Sequence, residues 1–522
     1  MTANRPEAFA RYAFYDTETT GARVRFDHPH QVAFIVTDAN FNEIDRISLR
    51  CRPRRWNPPS PIALLVTNSD PAELAAQKTT LDGLLKNLVP FLKKHSPAVF
   101  IGYNTLSFDE EILRQALWEN LRDPYPTSKA GSRRADLMRI IQTARAADPD
   151  VLAFETKPDG KPSFKLESLA KANGFDEHLA HDALGDVLAT IFLAKKVKAR
   201  APKLWNRLIS NAAPDNAAKI VDSGRAFVEV TRFGEDRVRV LFPVARDPEV
   251  KRHVGCVDLA IDPAPFVEMD ENQLAKAMTE DFKALPVIKT NAMPCVFPVE
   301  EAIELGFNLP DQLDGAGNPE RDENGNPHPD WVQPARRDEL NRIVAKRVDA
   351  VSTPDFRLKW IKATAIRRAA YEPKPYVETA IYDGFPSKLD EKLMEDFHRA
   401  NAWAEKLKIA ATFRDPRFVI LAERLVLDNA PSVLPQARRT ALENELLRER
   451  LLTKFPEETT LTGKPVKAPW LALDEVAKEL AELPDTPLAE KIKAWWIKRI
   501  NALGLSVSIQ IAPKNDAQDV GF

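Results

Sequence analysis

Four acidic residues and one histidine, spread over residues 16 to 186, constrain the fold of this chain more than any other feature. Asp16 and Glu18 lie in the segment FYDTETTG, Asp109 lies in GYNTLSFDEE, and His181 and Asp186 lie in HDALGD. Each stands where the local pattern predicts the end of a strand or the beginning of a helix. A fold that sets strand ends beside helix starts can gather all five side chains in one pocket.

Size and charge limit the class of protein. A chain of 522 residues exceeds what one hydrophobic core usually organises, so two to three domains are expected. With 44% hydrophobic and 29% charged residues, the composition is that of a globular protein. The net charge of −2, from 74 basic and 76 acidic residues, gives no overall attraction to nucleic acid. Any binding of a polyanion must therefore depend on local basic patches.

Cysteine usage and hydropathy indicate a cytoplasmic protein. Cys51, Cys256 and Cys295 are far apart, odd in number and in no CxxC arrangement, which argues against a disulfide framework or a zinc site. The N-terminal segment MTANRPEAFARYAFYD has no apolar region typical of a secretion signal. No uninterrupted run of about 18 apolar residues occurs, so we expect no association with a membrane.

The first 200 residues have the pattern of an α/β domain. Short β-prone runs at 12–17, 31–37 and 43–50 predict an antiparallel meander. Apolar residues at helical spacing predict a helix over 81–94, and the buried strand AVFIGYN follows it. Further helices are predicted from about residue 109, over 164–173 and over 182–198.

The pattern changes near residues 201 and 371. The segments AFVEV, RVRVLFP and GCVDLAI alternate in hydrophobicity, which is typical of a small β-rich domain. Residues 308–337 are rich in Pro, Gly, Asn and Asp and predict a long inserted loop. Helical patterns dominate after 371. We therefore predict three domains, over 1–200, 201–370 and 371–522.

The acidic residues have the chemistry of a metal site. Side chains alternate along a strand, so Asp16 and Glu18 project to one face, about 7 Å apart. Clustered carboxylates are what hard divalent cations bind, and two such cations can cleave a phosphodiester. A metal-dependent nuclease is the function that these residues indicate.

Asp109, Asp186 and His181 each have a structural role and a functional role to weigh. Asp109 either caps a helix N-terminus or binds metal. Asp182 and Asp186 share a helix face, and we assign Asp182 to the helix dipole and Asp186 to the metal. His181 either caps that helix or, as a neutral imidazole, accepts a proton from water near neutral pH.

The order D-x-E, N-x3-F-D and H-x4-D resembles the DEDDh exonuclease superfamily, which has a ribonuclease H-like fold. No Tyr precedes Asp186 by four residues, which favours the histidine form over the tyrosine variant of the superfamily. GYNTLSFDEE, PSFKLESLAKANGF and AHDALGDVLATIFLAKKVK are similar to segments of bacterial exodeoxyribonuclease I, as are VDLAIDPAPFVEMD, LPVIKTNAMPC and AIYDGF. The similarity is strongest over residues 10–200, and the tail after about residue 455 is hard to align.

This resemblance implies a ribonuclease H-like domain with a mixed sheet, a small Src-homology-3-like β-barrel and a C-terminal helical domain. By the same resemblance, Asp16, Glu18, Asp109 and Asp186 would bind two Mg²⁺ ions, with Mn²⁺ as an alternative. His181 would be the general base. The implied activity is 3′-to-5′ degradation of single-stranded DNA to 5′-mononucleotides in repair and recombination, by a monomer.

The resemblance also implies contacts with DNA and a partner. Glu18 and Lys165 would lie near the substrate, although Lys165 has the alternative of being solvated. Ile62, Leu65 and Val66 would lie near the terminal bases, or belong to ordinary packing. Contact with DNA or with the acidic tail of single-strand DNA-binding protein is open for three arginines: Arg357, Arg367 and Arg368.

Two other functions remain open from the sequence. An exoribonuclease would keep the same chemistry and would tolerate a 2′-hydroxyl in its substrate. A catalytically silent protein that binds single-stranded nucleic acid belongs to another class. Such a protein has no reason to keep four separated carboxylates and the histidine.

Overall fold

A mixed five-stranded sheet organises the first part of the chain. The computed structural model describes residues 11–175, 182–233, 235–281, 283–309, 334–369, 376–455 and 468–506. The strands of the first sheet are β1 (Arg11–Thr19), β2 (Pro29–Asp38), β3 (Glu43–Arg50), β4 (Val99–Gly102) and β5 (Arg133–Asp136). Their order is β3-β2-β1-β4-β5. The first three pair antiparallel, which confirms the predicted meander, and β4 and β5 run parallel to β1.

Helices cover both faces of this sheet. They are α3 (Leu81–His95), α4 (Asp109–Glu119), α5 (Leu137–Ala147), α6 (Leu166–Ala172) and α7 (Ala183–Arg200). Two short helices, α1 (Pro61–Val66) and α2 (Pro71–Ala75), pack against the C-terminal helices instead. Along β1, Phe14 packs in the layer of α5 to α7, whereas Tyr15 packs in the layer of α3 and α4. Because strand side chains alternate, Asp16 faces the first layer and Thr17 faces the second.

The end of β4 brings α4 close to β1. A Cβ atom added to Gly102 would lie 2.0 Å from Cγ2 of Thr105 and 2.8 Å from the carbonyl oxygen of Tyr15. Only glycine permits this approach. A short 3₁₀ turn at Thr105–Ser107 follows, and α4 begins two residues after it, at Asp109. Because of this close approach and short turn, the carboxylate of Asp109 lies beside the end of β1.

A second, antiparallel sheet follows, with helices around it. Its strands are β6 (Phe227–Phe233), β7 (Glu235–Arg246), β8 (His253–Asp258), β9 (Val287–Lys289) and β10 (Val296–Pro298), in the order β10-β6-β7-β8-β9. The helices are α8 (Pro202–Asn211), α9 (Pro214–Val221), α10 (Ala264–Glu268), α11 (Glu271–Glu280), α12 (Val299–Glu304), α13 (Pro334–Val351) and α14 (Pro354–Ala369). The predicted β-rich segments are confirmed. Trp205, Val228 and Phe297 belong to the same apolar cluster as Phe14, so the second sheet packs directly on the first sheet and its helices.

The described chain is helical after residue 376, as predicted. It contains a 3₁₀ segment (Val377–Tyr382), α15 (Lys388–Arg399), α16 (Trp403–Ala410), α17 (Pro416–Asn429), α18 (Gln436–Glu443), a π-helical segment (Asn444–Glu449), α19 (Arg450–Leu452), α20 (Leu473–Glu482) and α21 (Pro487–Ala502). These helices pack against the helices of the first sheet, where Phe418 contacts Trp118 of α4. Leu64 of α1 shares an apolar cluster with Trp496 of α21.

Parts of the predicted loop and of the C-terminal tail lie outside the described residues. Most of the loop predicted over 308–337 lies outside the described residues, but its last four residues belong to α13, so the predicted loop extends too far. Residues 456–467 and 507–522 of the tail also lie outside the described residues. Within the described ranges, no helix is long and apolar enough to cross a membrane.

Buried charges join the C-terminal helices to α4. The carboxylate of Glu378 accepts hydrogen bonds from Arg424 at 2.6 Å and Arg450 at 2.5 Å. Its backbone carbonyl accepts one from Gln115 of α4 at 2.8 Å. Burial acts to raise the pKa of Glu378, but the two guanidinium charges outweigh it and lower the pKa. The folded state therefore holds a charged carboxylate that depends on both arginines.

We expect Glu378→Gln to lower the free energy of unfolding by about 3 kcal/mol, because it removes the carboxylate that pairs with Arg450 and the nearer of the two carboxylates that pair with Arg424. Urea unfolding followed by tryptophan fluorescence measures the change. The control Glu423→Gln removes an ion pair to Arg438, whose side chain is 43% exposed. That pair should contribute no more than about 1 kcal/mol. Equal shifts for the two variants would contradict the prediction.

Candidate active site

The end of β1 carries two carboxylates on one face. Asp16 and Glu18 are separated by Thr17, and Glu18 is 9% exposed. Glu18 lies opposite Gln31 of β2, and the pairing of the two strands shifts register between Glu18 and Thr19. Regular pairing thus ends directly after the second carboxylate. Such irregularities commonly lie next to functional sites, where they redirect side chains.

The first turn of α7 supplies a third carboxylate. This helix begins at Ala183 and carries Asp186 in its first turn. One ligand oxygen from each of Asp16, Glu18 and Asp186 lies within 4.8 Å of the other two. Carboxylate oxygens are the ligands that hard divalent cations prefer. The group has the composition and spacing to hold a divalent cation.

Asp109 reaches the same region from the other layer. It is the first residue of α4 and is 5% exposed. Its Oδ1 accepts a hydrogen bond from the hydroxyl of Thr17 at 2.5 Å. Asp109 is not part of the described group of three carboxylates, but its charge acts on Asp16. The four predicted carboxylates therefore form a group of three with a fourth beside it.

Crowding raises the pKa of these carboxyl groups. Burial, followed by the charges of Asp109, Asp186 and Glu18, raises the pKa of Asp16 well above its ordinary value. Burial and the charges of Asp186 and Asp109 raise the pKa of Glu18 to about 8. Burial raises the pKa of Asp109 to about 7, against the hydrogen bond from Thr17. A bound cation would relieve the repulsion between the charged forms.

We expect the affinity for Mn²⁺ to rise by about tenfold per pH unit between pH 6 and 8, because at least one proton must leave the carboxylates before the cation binds. Without metal, in the presence of a chelator, a rise in pH should instead lower the stability of the folded protein. The folded protein keeps the proton of Glu18 up to about pH 8, whereas an unfolded chain releases it near pH 4.5. Stability is therefore lost as the pH rises through this window.

Titration with Mn²⁺, followed by electron paramagnetic resonance of the free ion, measures the affinity. Melting curves in chelator between pH 5 and 9 measure the stability. Glu18→Gln removes one titrating group and should flatten both dependences. An affinity for Mn²⁺ that does not change with pH would contradict the prediction.

Two strands hold the residue that precedes α7. The sequence assigns Asp182 to the helix dipole, and the structure places it at the N-cap, where it makes no capping hydrogen bond. Its Oδ1 instead accepts hydrogen bonds from Gln31 at 2.5 Å and from Arg50 at 2.9 Å. His181 lies outside the described residues, so its role as a base stays a prediction.

The chain is similar to known exonucleases. The profile of the RNase_T family, described as exonuclease, matches residues 13–194. Exodeoxyribonuclease I of Escherichia coli (strain K12) is 33% identical over 323 residues, which cover 58% of this chain and 68% of that protein. The chain belongs to the exodeoxyribonuclease I family.

Solved structures of exodeoxyribonuclease I share the fold far beyond the residues of that profile. The structure of E. coli exonuclease I in complex with a dT13 oligonucleotide has a TM-score of 0.73 and 26% identity, and the match covers 93% of this chain and 98% of that chain. A structure of SSB/exonuclease I in complex with the inhibitor CFAM has a TM-score of 0.72 and 25% identity, with 94% and 99% covered. The match therefore includes the second sheet and the C-terminal helices.

The residues that the resemblance to exodeoxyribonuclease I assigns to DNA lie on two elements. Lys165 directly precedes α6, and its side chain is exposed. Ile62, Leu65 and Val66 lie on α1, where Leu65 packs against the C-terminal helices and Val66 is 51% exposed. Exposure leaves Lys165 and Val66 accessible to a strand of DNA, whereas Leu65 has the contacts of a packing residue. DNA binding by all four stays a prediction.

Protein groups already engage the three arginines of α14. Arg357 donates to the carbonyl of Val244 at 3.2 Å, and Arg367 donates to the carbonyl of Met278 at 3.3 Å. Arg368 forms ion pairs with two acidic side chains that follow β7. Arg357 is exposed and has no carboxylate partner among the described residues. Among the three, it is the arginine best placed for an external acidic group.

Three residues around the site were not identified from the sequence. Thr17, Gln31 and Arg50 hold Asp109 and Asp182 in place. Strand alternation could have indicated Thr17, since it must face the layer opposite Asp16. Gln31 and Arg50 required the register of the sheet, which pairs Glu18 with Gln31 and Gln31 with Arg50.

Proposed function

We propose that this chain removes 5′-mononucleotides from the 3′ end of single-stranded DNA by metal-dependent hydrolysis, in DNA repair and recombination. The observation that carries the proposal is the group Asp16, Glu18 and Asp186, with Asp109 beside it, in a member of the exodeoxyribonuclease I family. The relative solved with dT13 supports single-stranded DNA as the substrate over RNA.

Two Mg²⁺ ions are the proposed cofactor, and Mn²⁺ is a substitute. Asp16, Glu18 and Asp186 would hold one ion, and Asp109 would contribute to the second. This donor set consists of carboxylate oxygens, which suit Mg²⁺ and Mn²⁺ and are less suited to softer metals. When bound, two such ions stabilise the charge that develops on the attacking and leaving oxygens of a phosphodiester.

The side chains of the chain position this chemistry. His181 would accept the proton of the attacking water, since an imidazole changes its charge near neutral pH. Arg50 and Gln31 fix Asp182 and with it the start of α7, which carries Asp186. Asp16 and Glu18 lie at the end of β1, where strand alternation directs both side chains to one face.

Single-strand DNA-binding protein is the proposed protein partner. A structure described as SSB/exonuclease I contains that combination in a relative. The exposed Arg357 is our candidate contact for an acidic tail. A monomeric state, a cytoplasmic location and the division into an exonuclease domain, a Src-homology-3-like domain and a helical domain stay predictions.

The test uses 5′-labelled single-stranded DNA, the same strand blocked at its 3′ end, duplex DNA and single-stranded RNA, each with Mg²⁺ or with chelator. We expect shortening of the unblocked single-stranded DNA alone, and only with Mg²⁺. Preference for RNA would overturn the assignment to DNA and leave the metal chemistry standing. Absence of cleavage of every substrate would favour a protein that only binds nucleic acid.

A further inference from the structure

Thr17 lies between two metal-binding candidates but faces the opposite layer of the sheet. It is 6% exposed and follows Tyr15 on the face covered by α3 and α4. The pairing of β1 with β4 ends at Phe14 and Ile101. Beyond that pair no strand covers this side of β1 within the described chain, and the start of α4 occupies the place. Thr17 therefore meets the first residue of α4, next to Tyr15, whose hydroxyl donates to Glu110 of the same helix at 3.1 Å.

The contact between Thr17 and Asp109 is short and directional. The hydroxyl of Thr17 donates to Oδ1 of Asp109 at 2.5 Å. Threonine is branched at Cβ, which restricts rotation about χ1 and so fixes the direction of its hydroxyl. A carboxylate has two oxygens with about four acceptor positions. The hydrogen bond uses one of them, and the others remain for a cation.

Asp109 needs such a contact because its surroundings repel it. Asp16 and Glu18 each interact with Asp109 as like charges. No salt bridge to Asp109 is found in the described part of the chain, and Phe108 at the N-cap of α4 offers no polar side chain. Backbone N–H groups of Asp109 and Thr17 hydrogen-bond this carboxylate, and the hydroxyl of Thr17 adds a side-chain contact that opposes the repulsion.

We infer that Thr17 is a positioning residue that holds the Asp109 carboxylate where a second divalent cation can bind between it and the group Asp16, Glu18 and Asp186. The inference rests on the proposed two-cation function. Because Thr17 is buried, it does not contact DNA itself. Its effect must appear in cation binding and in turnover, and not in the affinity for DNA.

Counting bound Mn²⁺ in the full-length protein by electron paramagnetic resonance, without DNA, tests this inference. Wild type should bind two ions. Thr17→Val keeps the shape and removes the hydroxyl, so it should bind the first ion normally and the second at least about tenfold more weakly. Thr17→Ser restores the donor and should restore the second site. With single-stranded DNA, Thr17→Val should lower kcat and leave KM unchanged.

Thr37→Val is the matched control. Thr37 is also buried in the first sheet, at 1% exposure, but its hydroxyl donates to the carbonyl of Asp38 at 3.0 Å, away from the carboxylates. This variant should bind both ions like wild type. If Thr17→Val fails to fold, Thr17→Ala compared with Thr17→Ser makes the same comparison, with circular dichroism to verify folding.

The outcomes separate this inference from the proposed function. A wild-type protein that binds no Mn²⁺, or leaves single-stranded DNA intact, would remove the proposed function itself. A wild type that binds two ions, together with a Thr17→Val variant of equal affinity for both, would overturn only the role of Thr17. Failure of Thr17→Ser to restore the second site would also overturn it, because the hydroxyl would then not be the cause.

Discussion

Asp186→Asn should lower kcat on single-stranded DNA by about 10³-fold or more, while the affinity for DNA stays nearly unchanged. Asp186 provides one of three oxygens that lie within 4.8 Å of one another. Asparagine keeps the shape but loses the charge that a divalent cation requires. Metal ions contribute several kcal/mol to stabilising the transition state, and each 1.36 kcal/mol is a factor of ten in rate.

The same substitution should stabilise the protein in chelator. The charge of Asp186 acts to raise the pKa of both Asp16 and Glu18, which means that it repels their charged forms. Removing it relieves this repulsion, so the melting temperature without metal should rise at pH 8. Asp148→Asn is the control, because Asp148 is 44% exposed and pairs with Arg200 on the surface. Turnover by Asp186→Asn near the wild-type rate would show that the metal assignment is wrong.

Local patterns predicted the meander β1 to β3, the strand β4 and four of the helices around the first sheet, because hydrophobic periodicity records which face of an element is buried. They did not predict α1, α2, β5 or α5. The apolar repeat predicted over 81–94 corresponds to Leu81–His95, and the predicted strand 43–50 corresponds to Glu43–Arg50. The antiparallel pairing of β1, β2 and β3 could also be predicted, since short polar breaks favour antiparallel neighbours. These features depend on contacts that are close in sequence.

Long-range packing could not be predicted in the same way. The contact of Phe418 with Trp118 joins residues that are far apart in the chain. Trp205 and Val228 share a cluster with the first sheet, although a change in sequence pattern separates them from it. A pattern shows that a residue is buried, but it does not show against which distant element the residue packs.

In the candidate site, too, local patterns predicted some residues, whereas the placement of others depends on tertiary contacts. Strand alternation placed Asp16 and Glu18 on one face, and helical spacing placed Asp186 beside the buried stripe of α7. The approach of Asp109 from the opposite layer depends on the end of β4 at Gly102, a tertiary feature. The anchoring of Asp182 likewise depends on the register between β2 and β3, which no short segment specifies.

His181→Ala should lower kcat by about 10² to 10⁴-fold and remove the acid limb of the pH–rate profile, because the enzyme would lose the group that accepts the proton of the attacking water. The residue after it, Asp182, is held to the sheet by Gln31 and Arg50, and Asp186 lies one turn further along α7. Single-turnover rates between pH 5.5 and 9 measure the effect.

His253→Ala is the control, because His253 lies on β8 of the second sheet and should leave both the rate and the profile unchanged. Added imidazole distinguishes a lost base from a disturbed fold, since a small base that enters the vacated space can restore part of the rate only if proton transfer was the defect. A capping role at the start of α7 would instead lower the melting temperature and leave the shape of the profile intact. An unchanged profile in His181→Ala would exclude this histidine as the general base.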